Sequence, residues 1–160
     1  MVYKIRELIT RHEGKFNKEY LCPAGKRTIG IGHNLEAHPL PEFMQKYLDE
    51  HGEITDEMIN SLFAGDVMEA IGGCMKLYPQ FNLFSEARRL ALVDFLFNVG
   101  LTTAKTFINT NKDINAGNWK SAAERLRGSL YWRQLGGDPP GTDDGKLERP
   151  EEIYKMILEG

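Results

Sequence analysis

Apolar residues recur at helical spacing in several stretches of the chain. Near the amino terminus Ile5, Leu8 and Ile9 follow the i, i+3, i+4 rule, which predicts a helix over residues 3–13 that Gly14 ends. Further helices are predicted over residues 41–50, 55–71, 86–99, 118–127 and 150–158. Thr55 is expected to cap the 55–71 helix, which Gly72 and Gly73 end or bend. Ser85 is expected to cap the 86–99 helix, which is apolar on nearly every side.

Strand patterns are confined to residues 16–34. Pro23 and Gly25 supply turn chemistry, and 28–33 is predicted to be a short strand in which isoleucine alternates with glycine. Isoleucine would face a core and leave bare backbone on the other face, where a ligand can lie close; the alternative is a sharply twisted hairpin. Early strands and late helices favour an α+β class with segregated lobes.

The composition of the chain argues against a nucleic-acid-binding protein and against a membrane protein. A chain of 160 residues is expected to form one domain, and its net charge of −3 argues against nucleic-acid binding. No apolar window is long enough for a membrane span, and the start of the chain has no signal-peptide pattern, so synthesis in the cytoplasm without membrane insertion is expected. Cys22 and Cys74 are expected to be free thiols.

Three reactive side chains stand close together in the segment from Thr10 to Asn34. Glu13 is the last residue of the first predicted helix, Cys22 lies in the following strand or turn, and Thr28 opens the next strand. Their positions on three consecutive elements would let them converge on one cleft. A carboxylate at a helix carboxyl terminus is unfavourable to the helix dipole, which is poor placement for a purely structural residue.

The spacing of these residues resembles the active-site segment of the phage-type lysozymes, glycoside hydrolase family 24. That family has a Glu, eight residues, an Asp or Cys, five residues, and a Thr followed by Ile-Gly-x-Gly-His, which Glu13, Cys22 and the run Thr28-Ile29-Gly30-Ile31-Gly32-His33 reproduce. Residues 54–71 and 86–100 are similar to the connecting and central helices of the family.

The resemblance implies a lysozyme-like α+β fold in a single domain over residues 1–160. A small N-terminal lobe, about 14–58, would hold a short antiparallel sheet. A long helix would join it to a mostly helical C-terminal lobe, formed by residues 1–13 and 59–160.

The resemblance also implies a muramidase that hydrolyses the β-1,4 bond between N-acetylmuramic acid and N-acetylglucosamine in peptidoglycan. Glu13 would be the general acid, and Thr28 would hold the attacking water on the opposite face of the sugar, with an inverting outcome. The alternatives are a surface carboxylate for Glu13 and an ordinary β-branched strand residue for Thr28.

Cys22 is the unusual member of the pattern, since many family members hold Asp there. A neutral thiol would orient the water, whereas a thiolate favoured by nearby Lys or Arg could act as base or nucleophile. A small buried side chain without chemistry is the remaining interpretation.

Other residues are predicted to support the site. By resemblance His33 is a structural residue that hydrogen-bonds between the lobes. Arg149 or Lys146 could pair with Glu13. Sugar binding is predicted for Gly32, Asn34, Phe97 and Asn98, with a core position as the alternative for Phe97.

No cofactor and no metal site are expected, because no second ligand stands at a recognisable spacing from His33. Lys15, Lys18, Lys26 and Arg27 are either local basic groups for an acidic wall or a solvated surface. We expect a monomeric endolysin made in the host cytoplasm that acts on the cell wall, for which a separate holin is one delivery route. The rival hypotheses are a lytic transglycosylase and a wall-binding module that has lost the chemistry.

Overall fold

The structure is a computed structural model that describes residues 1–135 and 148–160; the predicted 136–145 loop and Lys146 lie outside the described residues. The chain divides into two compact units, one of residues 6–68 and one of residues 1–5 and 69–160. The elements in chain order are α1 (Val2–Glu13), β1 (Phe16–Leu21), β2 (Arg27–Gly30), β3 (His33–Asn34), α2 (Glu42–His51), α3 (Asp56–Leu77), a 3-10 turn (Phe81–Leu83), α4 (Glu86–Ala104), α5 (Ile108–Asn115), α6 (Trp119–Arg127), α7 (Leu130–Gln134) and α8 (Arg149–Glu159).

The unit of residues 6–68 contains a three-stranded antiparallel sheet in the order β1-β2-β3. Its presence among so many helices confirms the predicted α+β class. The single strand predicted over 28–33 is wrong. Gly30 and Gly32 have φ of +67° and +65°, so the chain turns between β2 and β3. Glycine adopts this left-handed conformation without a Cβ clash.

The core of this unit is built from aliphatic side chains of the helices and the sheet. Asn17 joins β1 to the start of α3: its side-chain amide donates to the Ile54 carbonyl at 2.8 Å, and its carbonyl accepts from the Ile54 N–H at 2.9 Å. The buried apolar residues are Leu8, Ile9, Ile29, Ile31, Leu35, Leu40, Met44, Ile54, Ile59, Phe63 and Val67.

Most predicted helix starts and ends are confirmed. Thr55 and Ser85 cap α3 and α4, because their hydroxyl oxygens accept from the N–H groups of Met58 and Arg88. The helix that was predicted to end or bend after residue 71 continues to Leu77. A Cβ at Gly73 would lie 2.8 Å from Leu96 Cδ2, so glycine here allows α3 and α4 to approach closely.

Helix α4 departs from helical geometry at Gly100, whose φ is 78° and ψ is 160°. The break agrees with the predicted end of the helix near Val99.

Two further helices, α5 and α7, were not predicted. Asn and Thr dominate α5 and are weak helix formers, so its sequence gives little local signal; its Ile114 is fully buried.

The unit of residues 1–5 and 69–160 is helical, and aromatic rings fill part of its core. The Phe95 ring meets the Phe107 and Tyr131 rings edge-on, with centroids 5.2 and 4.9 Å apart. Within the described residues, no helix is both long and apolar enough to cross a membrane.

Candidate active site

Glu13 is the last residue of α1, and the local sequence fixes where that helix stops. Gly14 has a φ of +74°, and its N–H donates to the Thr10 carbonyl at 2.8 Å. This is the left-handed end that glycine favours. The Glu13 side chain is half-buried at this helix end, which restricts where its carboxyl group can lie.

The turn between β2 and β3 brings Gly32 directly against this carboxyl group. A Cβ at Gly32 would lie 2.8 Å from Glu13 Cδ and 3.0 Å from its Oε2, closer than real Cβ atoms approach a neighbour. The φ of +65° favours glycine, and a side chain at this position would have to displace the Glu13 carboxyl group. The predicted sugar contact of Gly32 stays a prediction.

The register of the sheet places several polar residues on one face. Tyr20 on β1 is directly opposite Thr28 on β2, and Thr28 is opposite Asn34 on β3. The ladder continues past β1, because the Cys22 N–H donates to the Lys26 carbonyl at 3.0 Å. Since directly opposed residues and residues two apart share a face, Tyr20, Cys22, Thr28 and Asn34 all lie on the same side.

Thr28 presents an acceptor on this face. Its hydroxyl donates to the Lys26 carbonyl at 2.9 Å, which uses its single proton, and the residue is only 3% exposed. The remaining capacity of the oxygen is to accept. Thr28 can therefore take a hydrogen bond from a water but has no proton left to give.

Cys22 opens the turn that joins β1 to β2. The Gly25 N–H donates to the Cys22 carbonyl at 2.8 Å, and Gly25 has a φ of +76°. The thiol is half-buried and free of a disulfide, as is the fully buried Cys74; both cysteines belong to the described residues. The turn thus holds a reduced sulfur at the edge of the polar face.

Tyr20 is the member of this face that the sequence analysis did not identify. The backbone of Gly32 hydrogen-bonds to its hydroxyl oxygen. Burial, with the nearby negative charges of Glu13 and Cys22, raises the pKa of Tyr20 to about 12, and the Gly32 hydrogen bond only partly offsets this. The signal available in the sequence was its position two residues before Cys22 on a strand.

His33 lies on the opposite face of the sheet, because it pairs with Ile29. It is 5% exposed, with Nδ1 2.7 Å from Asp66 Oδ2 and Nε2 2.9 Å from the His38 carbonyl oxygen. Both oxygens are acceptors, so the two contacts fix the orientation of the ring. Both of these partners belong to the same unit as His33. The structural role expected of His33 stays a prediction.

Phe97, Asn98 and Arg149 belong to the other unit. Phe97 is half-buried and Asn98 is exposed near the break in α4, and their sugar-binding roles stay predictions. Arg149, at the start of α8, forms an ion pair with Asp94, which is fully buried on α4. The predicted pairing of Arg149 with Glu13 stays a prediction.

Three of the four basic residues near the sheet form ion pairs. Lys15 Nζ lies 3.2 Å from Asp56, Lys26 Nζ lies 3.6 Å from Glu36, and Arg27 Nε lies 2.5 Å from Glu19. These contacts support the solvated-surface interpretation of the basic residues. Among residues 1–135 and 148–160, no three His, Cys, Asp or Glu side chains are grouped so that they could hold a metal ion.

The unit of residues 6–68 therefore places a carboxyl group beside a sheet face that carries a thiol, a phenol and a hydroxyl. A proton donor close to groups that can hold water is the arrangement that hydrolysis of a glycosidic bond requires.

Comparisons with known proteins agree with this chemistry. The chain is 29% identical over 145 residues to the pre-baseplate central spike protein Gp5 of Enterobacteria phage T4, covering 82% of this chain but 25% of that protein. It is 25% identical over 146 residues to the probable T4-type lysozyme 2 of Dictyostelium discoideum, covering 82% of this chain and 86% of that protein. It is 26% identical over 149 residues to probable T4-type lysozyme 1 of the same organism, with 84% and 88% covered. Residues 10–144 match the family described as phage lysozyme, and this match includes Glu13, Cys22 and Thr28 and most of the helices. The chain belongs to the phage lysozyme family.

Proposed function

We propose that this protein is a muramidase that hydrolyses the β-1,4 bond between N-acetylmuramic acid and N-acetylglucosamine in peptidoglycan. One observation supports the proposal most directly. The Glu13 carboxyl group lies against Gly32, beside the sheet face that carries Cys22 and Thr28, in a chain of the phage lysozyme family.

Glu13 is the general acid in this proposal. It gives its proton to the leaving oxygen as the bond from that oxygen to the anomeric carbon breaks. The helix end positions Glu13, and Gly32 leaves room for its carboxyl group beside the sheet, as a positioned proton transfer requires.

A water molecule on the sheet face is the nucleophile. Thr28 accepts one of its hydrogen bonds, and Cys22 either accepts the second or takes the proton. The water oxygen bonds to the anomeric carbon, and the proton released by the water replaces the one that Glu13 has lost. Attack on the face opposite the acid inverts the anomeric configuration, for which the two groups are typically about 6.5–9.5 Å apart.

The proposal is tested by lysis of permeabilised Gram-negative cells combined with mass spectrometry of the released fragments. Active protein that leaves reducing muramic ends supports a muramidase. Anhydromuramic ends would instead show a lytic transglycosylase, in which the sugar's own hydroxyl attacks. A wild-type protein that binds the wall without lysis would show a module without catalysis.

Replacing Glu13 by Gln is expected to abolish lysis, because an amide cannot donate a proton to a leaving oxygen at neutral pH. A loss of about 10²–10⁴-fold corresponds to the usual contribution of acid catalysis. Glu7→Gln, at an exposed site on the same helix, is the matched control and should retain activity. Full activity of Glu13→Gln would remove the acid assignment.

A further inference from the structure

Tyr20 lies on the polar sheet face, on the edge strand β1. It is directly opposite Thr28, and Cys22 lies two residues further along the same side of the hairpin. Its ring packs against the Phe16 ring, with centroids 4.5 Å apart and planes inclined by 50°. The ring is therefore held by its own strand, and its hydroxyl points toward the other reactive groups.

The hydroxyl of Tyr20 is oriented by the residue that also contacts the acid. The Gly32 backbone hydrogen-bonds to the phenol oxygen, and the Cα of Gly32 lies against the Glu13 carboxyl group. One turn thus sets the positions of two side chains, Tyr20 and Glu13. This bond lowers the pKa of Tyr20, so the Gly32 N–H donates and the phenol oxygen accepts, which leaves the phenol's own proton available.

The phenol keeps that proton throughout the range in which a wall hydrolase would work. Burial is the main cause that raises the pKa of Tyr20 to about 12, and the charges of Glu13 and Cys22 act in the same direction. Below that pH the group is a hydrogen-bond donor and not a base. It complements Thr28, whose proton is already used on the Lys26 carbonyl.

We propose that Tyr20 positions the attacking water by donating a hydrogen bond to it, while Thr28 and Cys22 accept the two hydrogen bonds that the water donates. This inference rests on the proposed muramidase function and adds a donor to its site. A water oxygen has two lone pairs and two protons. With one lone pair held by Tyr20 and both protons directed to the sheet, the second lone pair is left for the anomeric carbon.

The test compares Tyr20→Phe, which removes only the hydroxyl, with Tyr47→Phe as the matched control. Tyr47 is in the same unit but lies on α2, where its ring stacks on His51. For Tyr20→Phe we expect kcat to fall roughly ten- to a hundredfold with little change in KM, because the water is misplaced while sugar contacts remain. Tyr47→Phe should match the wild type.

The distribution of products gives a readout that a structural role would not change. When water is poorly held, the oxocarbenium-like sugar can instead be captured by its own C6 hydroxyl on the face that the leaving oxygen has vacated, with Glu13, which has just given up its proton, accepting the hydroxyl proton. The fraction of anhydromuramic ends should therefore rise in Tyr20→Phe. This fraction is counted per bond cleaved, so it does not depend on how much of the variant is folded.

Unchanged kcat and an unchanged product ratio in Tyr20→Phe, with an active wild type and an inactive Glu13→Gln, would overturn the role of Tyr20 alone. A loss confined to KM would also overturn it, since that result indicates sugar binding. An inactive wild type would instead overturn the proposed function.

Discussion

At the scale of single residues, the site depends on the missing Cβ of Gly32 and on the hydroxyl group of Thr28. Gly32 has no Cβ, and this lets the Glu13 carboxyl group lie where a methyl group would stand. Thr28 has a hydroxyl whose proton is already used, so only its acceptor capacity faces the site. Small changes at these positions should therefore alter activity more than stability.

Gly32→Ala is expected to reduce lysis by more than tenfold, because the new methyl group must displace the Glu13 carboxyl, and a misplacement of about 1 Å can cost about 100-fold in rate. Gly52→Ala is the matched control. Gly52 has a φ of +76° with no atom within 4 Å of its built Cβ, so it carries similar backbone strain, roughly 1–2 kcal/mol, without the clash. Lysis rates and urea unfolding of both variants make the comparison. Equal losses of activity would show that strain alone matters.

Replacing Cys22 by Ser is expected to damage activity more than replacing it by Asp. Aspartate provides an ionised acceptor for the water, whereas a serine hydroxyl is a weaker base than either a carboxylate or a thiolate. The measurement is the rate of lysis by the three proteins at one pH, with thermal unfolding as a check on folding. Equal rates in all three would leave Cys22 as a packing residue.

At the scale of elements, the hairpin and the helix ends set the geometry of the site. The β1–β2 register brings Tyr20 opposite Thr28, and Gly14 ends α1 directly after Glu13.

In the other unit, the side chain of Asp113 connects α5 to α6. Its carboxylate accepts from the Ser121 hydroxyl and from Arg125 Nε, both at 2.6 Å.

The Asp113 contact predicts a pH dependence of stability. The hydrogen bond from Ser121, and then that from Arg125, hold the pKa of Asp113 below its ordinary value of 3.8. A lowered folded-state pKa means that the stabilisation is fully present above pH 3.8 and is lost as the pH falls through the folded-state value.

Asp113→Asn should therefore unfold at a lower urea concentration than the wild type at pH 7, and the difference should narrow as the pH falls below 3.8. Urea titrations at pH 7, 4 and 3 make the measurement. A difference that stayed constant over these pH values would show that the charge of Asp113 is not the source of the stabilisation.

At the scale of the whole molecule, contacts between residues distant in sequence hold the helical unit together. Asp94 on α4 is fully buried, and the guanidinium of Arg149, 9% exposed, donates to its carboxylate. Arg149 Nε lies 3.0 Å from Asp94 Oδ1. This ion pair fixes the start of α8 against α4.

Asp94→Ala is expected to destabilise the protein by about 3–5 kcal/mol, because it removes a buried carboxylate that pairs with the Arg149 guanidinium. The double variant Asp94→Leu, Arg149→Met removes both charges and should recover most of this loss, since apolar replacements of buried ion pairs are often close to neutral. Urea unfolding free energies provide the readout. A double variant less stable than Asp94→Ala would contradict the explanation.

Much of the fold and part of the site could be predicted from the sequence. Thr55, Ser85 and Gly14 mark helix boundaries because capping and left-handed termination depend on a few adjacent residues. The motif spacing predicted which family the chain belongs to, and the family comparison confirms it. The predicted roles of Glu13, Cys22 and Thr28 stay predictions until activity is measured.

Other features depended on the tertiary structure. The strand predicted over 28–33 became a turn between two strands, because two glycines with positive φ outweighed the alternating pattern. Helix α5 forms despite a weak local signal, and its Ile114 is fully buried in the core. Tyr20 lies beside the other site residues because of the register of β1 against β2, and residue spacing along the chain does not specify that register.

The sequence by itself determined most of the helix starts, the α+β class and the family, because these follow from periodicity, capping residues and motif spacing along the chain. Only the tertiary structure decided that Gly32 meets Glu13, that Tyr20 faces Thr28, and that Asp94 holds Arg149. These contacts join residues far apart in sequence, and their geometry is set by strand register and close packing, which a linear pattern of residue types does not specify.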